Sequence, residues 1–141
     1  MNAPNDSAIA GLIDAARQAR ENAYAPYSGF RVGAALLTAD GRIFTGVNVE
    51  NASYGLTSCA ESGAVSSAVG AGVRDFVAIA VTGPDNGVPC TPCGSCRQIL
   101  HEFAPNLLVI TEAASGAVTT PLRELLPQAF GSGNIQRVEG R

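Results

Sequence analysis

The chain has 141 residues, of which 46% are apolar and 15% are charged, and its formal net charge is −3. This length predicts one domain spanning residues 1–141, large enough to bury a core without disulfide bonds. The acidic balance and the lack of a basic stripe argue against a nucleic-acid partner, and no segment approaches the roughly 18 apolar residues that a membrane span needs.

Apolar periodicity and turn residues predict the element order α-β-β-α-β-α-β-β-α. The first helix is expected to begin at a cap, Asp6 or Ser7, and to end near residue 22. Asp40-Gly41 is a strong hairpin signal between the first two strands. The strands are expected at 31–38, 42–48, 76–82, 107–111 and 117–120, and the later helices at 58–69, 94–103 and from 121. Residues 1–6 and 131–141 are expected to be loose.

This order predicts an α/β fold with three layers, α/β/α, around one mixed sheet of about five strands. The segment 76–82 is an uninterrupted apolar run, which is typical of a strand buried on both faces. The helix expected at 58–69 is rich in alanine, glycine and serine, so a sheet or another helix can approach it closely.

The expected compartment is the cytoplasm. Residues 1–10 lack the basic cluster and the apolar run of a signal peptide. The four cysteines are crowded into two short segments, which does not resemble a disulfide framework. In a reducing compartment such crowding indicates metal binding or redox chemistry.

Three cysteines and one glutamate form two clusters, Cys59-Ala60-Glu61 and Cys93-Gly94-Ser95-Cys96. Three thiolates can hold Zn²⁺ and leave its fourth position open to water, and a carboxylate beside that water can transfer protons. Both clusters lie at predicted helix starts, where backbone N–H groups favour thiolates over thiols. The pattern predicts one catalytic zinc ion per chain, with Cys59, Cys93 and Cys96 as ligands and Glu61 as the catalytic residue. Residues two apart in mid-helix point in nearly opposite directions, so Cys59 must lie at the N-terminus of its helix.

Three other interpretations of the cysteines remain open. Cys93 and Cys96 at a helix start also fit a thioredoxin-like dithiol protein, which would leave Cys59 and Glu61 unexplained. Cys90 precedes Cys93 at the same spacing, so these two compete with Cys93 and Cys96 as the ligand pair. Four thiols including Cys90 would close a purely structural zinc site. We favour Cys93 and Cys96 because the glycine after Cys93 permits a tight turn.

Six sequence blocks within about residues 10–130 resemble the cytidine deaminase family, specifically its small homotetrameric zinc branch. The blocks are Tyr24-Ala25-Pro26-Tyr27-Ser28-Gly29-Phe30, Val32-Gly33-Ala34-Ala35, Gly46-Val47-Asn48-Val49-Glu50-Asn51-Ala52-Ser53-Tyr54, Cys59-Ala60-Glu61, Pro92-Cys93-Gly94-Ser95-Cys96-Arg97-Gln98 and Leu125-Leu126-Pro127-Gln128-Ala129-Phe130. The resemblance implies a hydrolase acting on the C–N bond of a cyclic amidine. Its reaction would deaminate cytidine and 2′-deoxycytidine to uridine and 2′-deoxyuridine plus ammonia, in pyrimidine salvage.

The resemblance also implies the residues that contact the nucleoside. Asn48 and Glu50 would hydrogen-bond the ribose hydroxyls, with the carboxylate serving mainly the 3′ position. Phe30 would pack against the pyrimidine. The backbone at Ala60 and the side chain of Glu61 would bind the edge of the base.

Tyr54 and Phe130 are implied to enter a neighbouring subunit's site across an interface of the homotetramer. One position departs from the family, because Ser62 stands where an arginine usually relieves the charge of the thiolates. We expect Arg97 or the helix N-termini to compensate in part. An alternative substrate is a modified cytosine nucleoside, such as a nucleoside antibiotic, although the ribose-binding pair favours ordinary nucleosides.

Overall fold

The computed structural model describes residues 3–135, so parts of both terminal segments expected to be loose, 1–2 and 136–141, lie outside it. The helices and strands are α1 (Asp6–Arg20), β1 (Gly33–Thr38), β2 (Ile43–Val47), α2 (Ala60–Gly70), β3 (Phe76–Thr82), α3 (Gly94–Phe103), β4 (Leu108–Ala113), β5 (Gly116–Pro121) and α4 (Leu122–Leu125). Short 3₁₀ turns add Tyr54–Leu56 and Ser132–Asn134. The predicted order of helices and strands is confirmed. Within residues 3–135, no helix is both long and apolar enough to cross a membrane.

The five strands form one mixed sheet in the order β2-β1-β3-β4-β5. Only the β3–β4 pair is parallel among these strands. In β3, Ala78 and Ala80 pack with α1, whereas Ile79 and Val81 pack with α2 and α3 on the opposite face. Because alternate residues of a strand face opposite sides, this burial on both faces confirms the three-layer α/β/α arrangement.

The differences from the sequence prediction lie at element ends. The cap of α1 is Asn5 rather than Asp6 or Ser7, and its Oδ1 accepts a hydrogen bond from the Ala8 N–H at 2.8 Å. Three consecutive residues could each satisfy the free N–H groups of that turn, so composition alone did not choose among them. Pro121 precedes α4 as its N-cap instead of lying in its first turn.

Candidate metal centre and substrate site

Cys59, Cys93 and Cys96 converge at the N-terminal ends of two helices. Cys59 is the N-cap residue of α2, and Cys93 is the N-cap residue of α3. The three Sγ atoms all lie within 4.8 Å of one another, and those of Cys59 and Cys93 are 4.0 Å apart. The requirement that Cys59 lie at a helix N-terminus is therefore met, because both helix starts direct their thiols to one point.

The donor set fits a zinc ion. Burial raises the pKa of the Cys59 thiol, and burial together with the Glu61 carboxylate raises the pKa of the Cys96 thiol. Burial also acts to raise the pKa of Cys93, but hydrogen bonds to its sulfur, first from the Cys96 N–H, outweigh burial and lower it. Three sulfurs at this spacing ionise together only with a cation between them. Three thiolates and an open fourth position are the coordination of a catalytic zinc site.

Glu61 lies beside these sulfurs as the second residue of α2. Its side chain is buried, with the residue only 5% exposed. Burial raises the pKa of its carboxyl, while hydrogen bonds from its own N–H and from the Cys96 thiol act in the opposite direction. A buried carboxyl group with a raised pKa can accept and release a proton closer to neutral pH than an exposed one.

Cys90 lies close to the site but outside the group of three thiols. Within residues 3–135, the three-residue group arranged to hold a metal is Cys59, Cys93 and Cys96. Cys90 packs against Gly83. The contact is close enough that a Cβ placed on Gly83 would lie 3.0 Å from the Cys90 Sγ and 3.7 Å from the Phe30 ring. Burial, and then the charge of Glu61, raises the pKa of the Cys90 thiol. This geometry favours the ligand pair Cys93 and Cys96 and opposes a site closed by four thiols.

Arg97 braces the loop before α3 instead of contacting a thiolate. Its Nε donates to the Pro92 carbonyl and its Nη1 to the Leu125 carbonyl, both at 2.7 Å. Ser62 donates from its hydroxyl to the Cys59 carbonyl at 2.9 Å. These contacts do not support the expectation that Arg97 compensates the thiolate charge, which leaves the helix N-termini as the compensating groups.

A short hydrogen-bonded ladder joins the segments that carry Asn48, Glu50 and Cys59. The Tyr24 N–H donates to the Asn48 carbonyl at 3.0 Å, and the Glu50 N–H donates to the Tyr24 carbonyl at 2.9 Å. Val49 and Ser58 exchange two backbone hydrogen bonds of 2.9 Å each. The ladder therefore links the loop after α1, the end of β2 and the segment that leads into α2.

Asn48 and Phe30 are held together at the start of β1. The Asn48 Oδ1 accepts a hydrogen bond from the Val32 N–H at 2.9 Å, and its Nδ2 donates to the Phe30 carbonyl at 2.7 Å. Asn48 is 9% exposed, and the Phe30 side chain remains at the surface. Since an amide has two N–H donors and two lone pairs, Asn48 has one N–H and one lone pair beyond these two bonds.

Glu50 is oriented by the loop that precedes Phe30. Its Oε1 accepts hydrogen bonds from the Tyr27 N–H at 3.0 Å and the Ser28 N–H at 3.1 Å. Its Oε2 accepts the Ser28 hydroxyl, and this bond is the main cause of the lowered pKa of Glu50. Each carboxylate oxygen accepts about two hydrogen bonds, so Oε2 keeps one free acceptor site. Glu50 lines a hollow of about 310 Å³ together with Tyr27, Ser28, Tyr54 and Thr57.

The two aromatic residues predicted to serve a neighbouring subunit lie at the surface. Tyr54 is 75% exposed, and its ring centroid is 6.0 Å from that of Tyr27. Phe130 is 60% exposed, and its carbonyl accepts a hydrogen bond from Gln98 at 2.8 Å. Within one chain, Tyr54 therefore lies beside the hollow that Glu50 lines, whereas the backbone of Phe130 is hydrogen-bonded to α3.

Sequence reasoning missed two residues that organise this site. Ser28 orients Glu50 through both its N–H and its hydroxyl, and Gln98 holds the backbone of Phe130. Both residues belong to blocks that carry the family resemblance, and membership of those blocks was the available signal. Their partners lie 22 and 32 residues away, so local sequence did not reveal them.

Comparisons with known proteins agree with this geometry. The family model for the cytidine and deoxycytidylate deaminase zinc-binding region matches residues 7–112. The chain is 50% identical over 121 residues to a cytidine deaminase of Halalkalibacterium halodurans, covering 84% of this chain and 91% of that protein. The crystal structure of cytidine deaminase from Burkholderia pseudomallei is similar, with a TM-score of 0.81 and 53% identity over 86% of this chain and 98% of that one. A more distant relative is a blasticidin-S deaminase of Bacillus cereus, 37% identical over 106 residues, or 70% of this chain and 76% of that protein.

Proposed function

This chain belongs to the cytidine and deoxycytidylate deaminase family, and from that premise we propose that it deaminates cytidine and 2′-deoxycytidine. Water replaces the exocyclic amine, and the products are uridine or 2′-deoxyuridine and ammonia. The observation that carries the proposal is the buried Glu61 carboxyl group beside three convergent cysteine sulfurs. Neither a dithiol redox protein nor a closed structural zinc site requires a carboxyl group in that place.

Glu61 is the proton carrier in this proposal. Cys59, Cys93 and Cys96 would hold the zinc ion, which when bound acts as a Lewis acid that activates water. Glu61 takes one proton from the attacking water and gives it to the ring nitrogen. It then takes the proton of the new hydroxyl group on the amine-bearing carbon and gives it to the amine, which leaves as ammonia as the C–N bond breaks. Burial in the first turn of α2 raises the pKa of its carboxyl, which suits repeated protonation and deprotonation.

The nucleoside would be held by groups with unused hydrogen-bonding capacity. Glu50 offers the free acceptor site on Oε2 to the 3′ hydroxyl, and Asn48 offers its second N–H to the ribose. Phe30 packs against the pyrimidine from the surface of the loop. The backbone at Ala60 and the carboxyl group of Glu61 bind the edge of the base.

We further propose a homotetramer in which Tyr54 and Phe130 complete neighbouring sites. Tyr54, Leu56 and Phe130 are each at least 60% exposed in the single chain, and an interface would remove this apolar surface from water. None of the four cysteines forms a disulfide bond. Cysteines without disulfide bonds are typical of a reducing compartment, which supports the cytoplasm as the location.

Ammonia release from cytidine by the purified protein tests the proposed function. Glu61→Gln is expected to lower kcat by about 10²- to 10⁴-fold, the usual contribution of a general acid–base group, while zinc content is unchanged. Glu21→Gln, the same change at an exposed residue after α1, is the matched control and should keep full activity. Activity that survives Glu61→Gln would remove this residue from its proposed role.

A second substrate class is supported by one comparison, the similarity to a blasticidin-S deaminase. The proposed roles of Glu50 and Asn48 in binding ribose hydroxyls favour cytidine. Parallel measurement of kcat/KM for cytidine and for blasticidin S decides between the two. The dithiol alternative predicts disulfide cycling without stoichiometric zinc, so zinc analysis of the same preparation tests it.

A further inference from the structure

The N-terminal half of α3 contacts the segment 125–131, and the same end of the helix carries two of the proposed ligands, Cys93 and Cys96. Arg97 and Gln98 directly follow Cys96, and each donates a side-chain hydrogen bond to a carbonyl of that segment. Arg97 reaches the Leu125 carbonyl at 2.7 Å, and the Gln98 Nε2 reaches the Phe130 carbonyl at 2.8 Å. The helix that carries the metal ligands therefore also fixes the backbone of Phe130.

The backbone before and after Phe130 is constrained. Gln128 has a φ of 52°, and within residues 3–135 it is the one non-glycine residue with a positive φ. This left-handed conformation is unfavourable for a residue with a Cβ, so surrounding contacts must maintain it. After Phe130, Gly131 lies against His101, because a Cβ there would be 3.2 Å from the His101 Nε2. Phe130 thus lies between the contacts that Leu125 and Gly131 make with α3, while its side chain stays exposed.

We propose that Gln98 is a positioning residue that holds Phe130 in the conformation in which it contacts substrate. The inference rests on the proposed role of Phe130 in a neighbouring site. Residues 127–131 form no helix or strand, so without Gln98 the Phe130 backbone would lose its hydrogen bond to α3. A binding aromatic group that is ordered in advance loses less entropy when the ligand arrives. Loss of Gln98 should therefore weaken nucleoside binding more than it slows the chemical step.

The test compares Gln98→Leu and Gln98→Glu with wild type in the zinc-containing enzyme. Both substitutions remove the donor to the Phe130 carbonyl, and the glutamate also places an acceptor opposite an acceptor. We expect KM for cytidine to rise about three- to ten-fold, the range for one lost hydrogen bond, with kcat within about two-fold and zinc content unchanged. Gln18→Glu, the same change on the exposed face of α1, is the control and should alter neither constant.

Hydrogen exchange supplies a readout that does not depend on turnover. Gln98→Leu should speed amide exchange in residues 126–135 without speeding it in β3. Unchanged exchange in that segment, or a fall in kcat equal to the rise in KM, would overturn the proposal. If Gln98→Leu fails to fold, Gln98→Glu carries the same test.

A double-mutant cycle with Phe130→Ala separates the inference from the function on which it rests. If Gln98 acts through Phe130, Phe130→Ala raises KM and Gln98→Leu adds no further increase on that background. Phe130→Ala could raise KM while Gln98→Leu either leaves KM unchanged in the wild-type background or raises it equally in the wild-type and Phe130→Ala backgrounds. In both cases the positioning role of Gln98 is wrong and the role of Phe130 stands. If Phe130→Ala leaves KM unchanged, the proposed contact of Phe130 with substrate fails, and the positioning role fails with it.

Discussion

Gly46 of β2 lies directly against the Ala60 carbonyl of α2. A Cβ on Gly46 would be 2.2 Å from that oxygen and 2.4 Å from the Ala64 nitrogen. Contact between the two backbones therefore sets the distance between the sheet and the first turn of α2. Cys59 is the N-cap of α2 and Glu61 lies in that first turn, so a glycine in the sheet determines where the proposed metal ligand and the proposed proton carrier lie.

Gly46→Ala should therefore damage both stability and the site. Forcing a methyl group into this contact is expected to cost about 1–3 kcal/mol or more of the free energy of unfolding, since no flexible side chain can move aside. Urea denaturation and zinc content measure the two effects. Gly11→Ala is the control, because nothing lies within 4 Å of a Cβ there and alanine favours the helix. Wild-type stability and zinc content in Gly46→Ala would contradict the close contact.

Single Cys→Ser substitutions should separate ligands from the nearby fourth thiol. Cys59→Ser, Cys93→Ser and Cys96→Ser are each expected to lose zinc during dialysis against a chelator, because each removes one of three protein ligands. Cys90→Ser should keep about one zinc per chain, since Cys90 lies outside the group of three sulfurs. Loss of zinc from Cys90→Ser would instead favour the structural site with four thiols.

Glu50→Gln should weaken nucleoside binding through the 3′ hydroxyl. Hydrogen bonds to a charged group contribute about 1.5–3 kcal/mol, so KM for cytidine is expected to rise at least about ten-fold with a smaller change in kcat. The matched control substrate is 2′,3′-dideoxycytidine, which is compared with 2′-deoxycytidine because it differs from that nucleoside only in lacking the 3′ hydroxyl. Wild type and Glu50→Gln should have similar KM values for the dideoxy substrate. A ten-fold difference that persists with the dideoxy substrate would show that Glu50 does not bind the 3′ position.

Asp40 should contribute stability that depends on pH. The hydrogen bond from Arg42, and then that from the Thr38 hydroxyl, lowers the pKa of Asp40 to about 2. Because the folded pKa lies below the unfolded value of about 3.9, the contribution is present above about pH 4 and is lost as pH falls through about 2. Asp40→Asn should lower the urea midpoint at pH 7, and this difference should shrink toward pH 2. Arg42→Gln should reproduce that pattern, and a difference independent of pH would contradict it.

Gln128→Gly should stabilise the folded chain. Gln128 has a φ of 52°, where a residue with a Cβ is disfavoured by about 1–2 kcal/mol and glycine is not. Part of that gain is offset by the greater freedom of glycine in the unfolded chain, so about 1 kcal/mol is expected from thermal unfolding. Gln18→Gly, inside α1, should lose about 1 kcal/mol. Equal effects at the two positions would show that no strain exists at Gln128.

The sequence predicted some elements to the residue and others only roughly. The bounds of β3 and α3 are confirmed, since a continuous apolar run and the glycine after Cys93 are strong local signals. The start of α1 was misplaced by one residue, because Asn5, Asp6 and Ser7 are all good caps. Residue types and local dihedral preferences thus determined where helices and strands form. The exact start of a helix was less certain where neighbouring residues could each serve as its N-cap.

The candidate site likewise has features that the local sequence predicted and features that only the tertiary structure decided. Residue chemistry and helix starts predicted Cys59, Cys93, Cys96 and Glu61 as a candidate zinc centre, because three thiols and a carboxyl group at two helix starts form a specific pattern. The tertiary structure decided that the three sulfurs converge. Only the tertiary structure decided that Cys90 stands apart, that Arg97 faces carbonyl oxygens, and that Ser28 and Gln98 orient Glu50 and Phe130. Those contacts join residues far apart in the chain. Their geometry follows from how the helices pack on the sheet, and no local pattern encodes that packing.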